Sequence, residues 1–306
     1  MNKIFLTAWM AFLSIFLFIF LFGCITTPKE SVSEKEAPAV VNITVSETEI
    51  QPAGETSNET VSEGAQTGGT VSPQTTDALT AIAHKEISFT TKDGWKIYGT
   101  LYYSGSNQDS RPTKVIVLIP QLGKDRNSYN ELVPLLHSAI PGADIVALDM
   151  RGHGKSTNLG TYQAFQTGDF RASKNDLSAL KDYLGVSRPS ITTYYLVGAS
   201  IGSSIAIDYA ASHGEAAKVV MISPGIAYHN FDITDEAQTY LHDLYIVSAS
   251  EDSYSMASAN TIYANSPSDK KVLKIYYGIS SHGTDLFNAT KDKEQPLLPL
   301  IVDWLK

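Results

Sequence analysis

One serine, Ser200, stands between two glycines in Gly198-Ala199-Ser200-Ile201-Gly202, with an apolar run before it and a helix-like run after it. A serine hydroxyl is too weakly acidic to attack a carbonyl alone; it needs a base, and the base needs an orienting acid. Seven histidines compete for the first role. His84 precedes the first expected strand, His137 and His213 close expected helices, and His229 and His242 fall in one long connection. His153 lies in Asp149-Met150-Arg151-Gly152-His153-Gly154. His282, in Ser280-Ser281-His282-Gly283-Thr284, follows the last expected strand, from where it can reach back over the strand ends to residue 200. Glu251 and Asp252, on the loop leaving Leu244–Ser250, are the candidate acids. The order serine, acid, histidine is the one that a serine on a strand-to-helix turn requires. No His-x-x-x-His pair and no cysteine cluster suggests a metal site.

The elements around these residues alternate. Lys85–Thr91 and Trp95–Tyr103 read as an antiparallel hairpin turning at Asp93-Gly94. Lys114–Ile119, Ala143–Met150, Thr192–Ser200, Lys218–Ser223, Asp243–Ser250 and Lys271–Gly278 read as strands, several of them continuously apolar, as strands covered on both faces are. Helices are expected at about 128–137, 170–184, 201–212, 254–264 and 295–306. Strands alternating with helices imply an α/β fold: a mostly parallel central sheet, helices on both faces, and an antiparallel N-terminal edge. Ser200 then sits at the first turn of a helix, where the Ile201 N–H points at developing negative charge. Gly198 and Gly202 keep the corner free of side chains.

The segments "VIVLIPQLGKDRNSY", "DIVALDMRGHGKST", "LVGASIGSS", "LYIVSASEDSYS" and "SSHGT" follow one another in an order and spacing that resemble an α/β-hydrolase, from about Lys85 to the C-terminus. The resemblance implies Ser200 as nucleophile on an elbow, His282 as base and Asp252 as acid. Glu251 is the alternative acid, since Ala249 replaces the glycine usual in the family's strand–Gly-x-x-Asp pattern. The resemblance also implies two backbone oxyanion donors, Ile201 and Leu122, with Gln121 the alternative to Leu122. Pro120-Gln121-Leu122 stands where the family often has His-Gly-x. Arg151-Gly152-His153-Gly154 is read as a structural turn whose Asp149 and Arg151 brace the site, with His153 part of that turn. The implied activity is hydrolysis of a carboxylic ester or related acyl compound through an acyl-enzyme, with no cofactor. A serine aminopeptidase-like peptidase shares every one of these parts, and a non-catalytic surface binding protein on the same fold is the reading of another class. Pro224–His242 leaves room for one short helix, hence a minimal lid and an open site, with Tyr228, His229 and Phe231 either lining the rim of that site or packing the connection.

Ahead of this domain (81–306) the composition changes twice. Residues 1–24 begin Met1-Asn2-Lys3, stay uncharged from Ile4 to Gly23 and end at Cys24, the single cysteine of the 306-residue chain. A basic start and an apolar stretch of this kind form an export signal or anchor. The ending resembles a prokaryotic lipobox, with Phe22 where that pattern prefers a small residue; an uncleaved membrane anchor is the alternative. Residues 25–80 lack aromatics and carry nine acids against two bases, so a disordered acidic tether is expected. Asn42, Asn58 and Asn288 lie in N-x-Ser/Thr sequons, and Ala39–Val45 could form a short strand. The net charge of −9 belongs mostly to the tether. The domain is nearly neutral, without a basic stripe for nucleic acid. Expected partners are a small-molecule ester or peptide substrate and, through the N-terminus, the outer face of the cytoplasmic membrane.

Overall fold

Val115, Val117 and Ile119 face one side of the central sheet and Ile116 and Leu118 the other, and all five are buried. Successive side chains of a strand point to opposite faces, so the unbroken apolar run of this strand needs cover on both sides. The computed structural model describes residues 73–105 and 108–306. The leader with Cys24, the possible strand at 39–45 and most of the expected tether lie outside the described residues.

The described residues begin with α1 (Pro73–Thr80), β1 (His84–Thr90), β2 (Lys96–Tyr102), β3 (Lys114–Ile119), α2 (Leu132–Ala139) and β4 (Ala143–Asp149). It continues through α3 (Thr167–Ala172), α4 (Lys174–Ser187), β5 (Thr193–Ala199), α5 (Ile201–His213) and β6 (Ala216–Ile222). A two-stranded hairpin, β7 (Ala227–Tyr228) and β8 (Phe231–Asp232), leads to α6 (Thr234–Thr239) and β9 (Asp243–Ala249). Then come α7 (Ser253–Asn265), β10 (Lys271–Tyr276), α8 (Leu286–Ala289) and α9 (Leu297–Leu305).

Eight strands form one sheet in the order β1-β2-β4-β3-β5-β6-β9-β10. β2 is antiparallel to both its neighbours, and every other pairing is parallel. The antiparallel edge is thus the work of β2 alone, because β1 again runs with the parallel set. One core packs Leu177, Leu180 and Leu184 of α4, α5 residues such as Ile205, and Ile262 of α7 against one face. The other core packs Leu132 and Leu136 of α2 with Leu297, Ile301 and Leu305 of α9.

Four expectations change. Residues 73–80, assigned to the tether, are helical, with Leu79 packed against the second core beside buried Ile82; a few apolar residues at the end of a polar segment suffice to dock it. The helix expected at 128–137 becomes a single turn at Arg126–Tyr129 followed by α2. Pro134 accounts for this, because proline is tolerated only in the first turn of a helix. The helix expected at 170–184 is broken at Ser173, whose hydroxyl donates to the Asp169 carbonyl four residues back. The connection 224–242 carries the hairpin as well as its one short helix. His229 and Asn230 both take positive φ at its tip, as a tight two-residue turn demands.

Candidate active site

Ser200 follows the last residue of β5 and precedes the first residue of α5, with φ 51° and ψ −122°. That conformation is costly for a residue with a side chain and persists only where its surroundings over-determine it. The surroundings here are specific. Ser200 N–H donates to the Ile222 carbonyl at 2.8 Å, and the Ser200 carbonyl accepts from Ser203 N–H at 2.9 Å and Ser203 Oγ at 2.6 Å. A Cβ on Gly198 would overlap the Gly202 carbonyl, and one on Gly202 would overlap the Ile119 and Pro120 carbonyls. Both glycines are therefore dictated by backbone passing close to backbone. Ile201 is the first helical residue, so its N–H has no intrahelical acceptor.

Asp252 immediately precedes α7 but does not cap it through its side chain. Its Oδ2 instead accepts from His282 Nδ1 at 2.6 Å. With that proton on Nδ1, the lone pair of the ring is on Nε2. His282 is 41% exposed over a mostly buried Asp252, 15% exposed, so the imidazole edge is reachable. Ser255 Oγ lies 3.4 Å from the same Nδ1 and donates to the Ser223 carbonyl at 3.3 Å. Glu251 is exposed, and its backbone N–H is tied to the Ile279 carbonyl at 3.0 Å. Of the two candidate acids, Asp252 is the one that the fold brings to the histidine.

Ser200, Asp252 and His282 thus lie just beyond the C-terminal ends of β5, β9 and β10, where ligands bind in open parallel sheets. Among the described residues, Ser200 Oγ makes no hydrogen bond, to His282 or otherwise. Contacts of this kind often tighten only when substrate is bound. The loop after β3 lies between the two. Its Ile119 and Pro120 carbonyls pack on Gly202, while Gln121 Oε1 accepts from Thr284 N–H at 2.7 Å. The Leu122 N–H has no acceptor among the described residues. The Gln121 carbonyl accepts from Lys124 N–H at 3.1 Å, closing the turn that carries it.

Asp149 and Arg126 anchor that loop from below. Asp149 accepts from Arg126 Nε at 3.0 Å, Nη2 at 2.7 Å and N–H at 3.0 Å, and from Lys155 N–H at 2.9 Å. Burial opposes the charge on Asp149, but these hydrogen bonds and the guanidinium outweigh it and hold the carboxyl below its ordinary value. Arg151 turns away, to Asp176 at 2.7 Å and Asp93 at 2.8 Å. His153 is buried, stacked on Tyr162 at 4.5 Å, and donates from Nδ1 to the Arg151 carbonyl at 2.8 Å. Burial pushes its pKa down.

At the rim, Tyr228 is 39% exposed and His229 stacks on Phe170 at 4.9 Å, but Phe231 is fully buried in the core. Phe231 is thus no rim residue: it occupies the inward position of the hairpin. The hairpin hangs from two helices, through Ser204 Oγ to the Gly225 carbonyl at 2.9 Å and Ala227 N–H to Tyr254 Oη at 3.1 Å. Ser223 and Ser255 were not legible as site residues, and Gln121 was legible only as an alternative backbone donor, since nothing in the local sequence signals the distant partners of these side chains. Among the described residues, no cluster of three or more His, Cys, Asp or Glu could hold a metal ion, and no helix is long and apolar enough to cross a membrane.

Residues 114–245 match the family model for the alpha/beta hydrolase fold. Solved structures agree over most of the chain. The esterase Pf2001 of Pyrococcus furiosus aligns with a TM-score of 0.58 at 16% identity, over 78% of this chain and 95% of its own. A thermostable carboxyl esterase from Bacillus coagulans aligns at 0.56 and 15%, over 73% and 98%. A cold-adapted esterase from an Arctic intertidal metagenomic library aligns at 0.57 and 17%, over 72% and 92%. The fold is the α/β-hydrolase fold. No curated protein matches the chain by sequence. The family match includes Gln121 and Ser200 but stops short of Asp252 and His282, so the pairing of these two on this hydrolase fold is known from their geometry alone.

Proposed function

We propose that this protein is a serine hydrolase cleaving carboxylic esters or related acyl compounds through an acyl-enzyme. One observation carries the reading: the Asp252 carboxylate leaves its own helix uncapped and accepts from His282 Nδ1 at 2.6 Å. That bond fixes the tautomer a general base requires. On this reading, His282 Nε2 takes the Ser200 Oγ proton as the oxygen attacks the substrate carbonyl. The N–H groups of Ile201 and Leu122 receive the developing oxyanion. His282 then gives its proton to the leaving group, and water, activated by the same ring, releases the acid and restores Ser200. The strained φ of Ser200 supports the assignment, because it lifts the side chain clear of both strand and helix. The esterase names of the structural neighbours make esters the first substrates to test.

The reading extends to location. The uncharged leader ending at Cys24 and the acidic segment after it support an exported domain tethered at the outer face of the cytoplasmic membrane. Fatty-acid labelling of the chain that is lost in Cys24→Ala would favour a lipid anchor over a helical one.

The deciding experiment is labelling with a fluorophosphonate alongside hydrolysis of p-nitrophenyl acetate. The wild-type chain reacts in both, and Ser200→Ala loses labelling and drops turnover by roughly 10⁴-fold or more. Undiminished labelling of that variant removes Ser200 as nucleophile.

A further inference from the structure

We propose that the Gln121 side chain is a positioning residue, a clasp that joins the loop after β3 to the loop bearing His282 and so sets the imidazole against Ser200. The inference rests on the serine hydrolase reading. Gln121 is only 7% exposed, and its Oε1 accepts from both Thr284 N–H at 2.7 Å and Thr284 Oγ1 at 3.2 Å. Gly283 has φ 59°, and a Cβ there would overlap the Gln121 amide. The residue after His282 is therefore a glycine for two reasons, its backbone sign and the amide filling the space beside it.

Two contacts turn this into a three-way joint. On one side the Ile119 and Pro120 carbonyls, immediately before Gln121, are packed against Gly202, two residues past Ser200. On the other, Gly283 N–H donates to Ser223 Oγ at 2.9 Å, and Ser223 itself is buried with φ 48° at the end of β6. Residues 283 and 284 thus have their backbone donors engaged by side chains from two other loops, at Ser223 and Gln121. A short loop held at both donors cannot slide along the sheet edge, so the ring of His282 inherits its place from these bonds. Gln121 is the one of the two that also belongs to the loop carrying the Leu122 N–H. Small displacements of a base relative to its nucleophile are expensive in rate, about a hundredfold for 1 Å.

Two variants test the clasp. Gln121→Leu keeps the volume but leaves Thr284 N–H without its acceptor. Gln121→Glu keeps the acceptor at the same reach. For p-nitrophenyl acetate, Gln121→Leu should lower kcat by about tenfold to a hundredfold with KM nearly unchanged, whereas Gln121→Glu should recover most of that loss. The ¹H–¹³C cross-peak of the His282 ring should move in Gln121→Leu and lie closer to the wild-type position in Gln121→Glu, a readout that needs no turnover. Unchanged kcat and an unmoved cross-peak in Gln121→Leu overturn the clasp, as does a loss confined to KM. Equal kcat in the two variants overturns it as well. Wild-type protein that neither hydrolyses esters nor labels at Ser200 defeats the hydrolase reading instead, and the cross-peak then decides the clasp by itself.

Discussion

Asp149 holds Arg126 by two side-chain hydrogen bonds, at 3.0 and 2.7 Å, and takes a third from the Arg126 backbone N–H. Both side chains are almost wholly removed from water, 3% and 10% exposed. The pair links the end of β4 to the segment that follows Gln121 and Leu122, so it carries the loop at the site and not only the core.

Asp149→Ala should therefore do two things at once. Removing one member of a buried ion pair strands the other, at a typical cost of about 3–5 kcal/mol. Arg126 keeps Thr100 Oγ1 at 3.2 Å and Glu86 at 3.5 Å, which puts the expected loss at the lower end. Thermal unfolding should show a fall of about 6–12 °C, and kcat should drop in molecules that are still folded. A variant as stable as wild type would show that the pair is dispensable.

Substituting the acids separates two neighbours that sequence could not. Asp252→Asn should lower kcat by about 10⁴-fold, because an amide no longer fixes the His282 tautomer. Glu251→Gln, on an exposed side chain, should leave kcat within about twofold, as surface changes away from special features do. Steady-state kinetics on one ester reads both. The reverse ranking would transfer the orienting role to Glu251.

Acid stability is expected to depend on Asp93. Burial works against its charge, but hydrogen bonds from Arg151 and Thr91 and the Arg151 charge prevail, lowering its pKa from 3.8 to about 2. A carboxyl depressed in the folded state stabilises fully above its unfolded value, and that stabilisation fades as pH falls from 3.8 through about 2. With the side chain a third exposed, solvent screening limits the effect to about 1 kcal/mol. Asp93→Asn should thus be less stable than wild type at pH 6, by denaturant melts, with the gap closing toward pH 2. A gap that stays constant over that range would exclude Asp93 as the titrating group.

Much of the sheet was readable because its signal is local. An apolar run such as Lys114–Ile119 or Ala143–Asp149 reports burial on both faces without reference to any other segment. Ser200 was readable because two glycines at fixed spacing flank it, although only Gly198 answers to a neighbour within the motif; Gly202 makes room for the Ile119 and Pro120 carbonyls of a distant loop. His282 and Asp252 were readable only through their order and their place after strands, which explains why Glu251 remained in competition. Residues 73–80 read as tether because Leu79 does not lift a polar segment's average, yet it packs against a finished core beside Ile82.

By itself, the amino-acid order determined the alternation of strands and helices, the glycines around Ser200 and the set of residues able to do acyl chemistry. Periodicity and the approach of Gly198 to Gly202 act between near neighbours; the approach of Gly202 to Ile119 and Pro120 does not, but the glycine that permits it still stands in the motif. Only the tertiary structure decided that Asp252 faces His282, that Phe231 turns inward, and that Gln121 reaches Thr284 across 163 residues of chain. Those outcomes follow from where the strand ends meet once both faces of the sheet are covered. No short stretch of sequence records that meeting, because the partners share no local pattern and are joined only by packing.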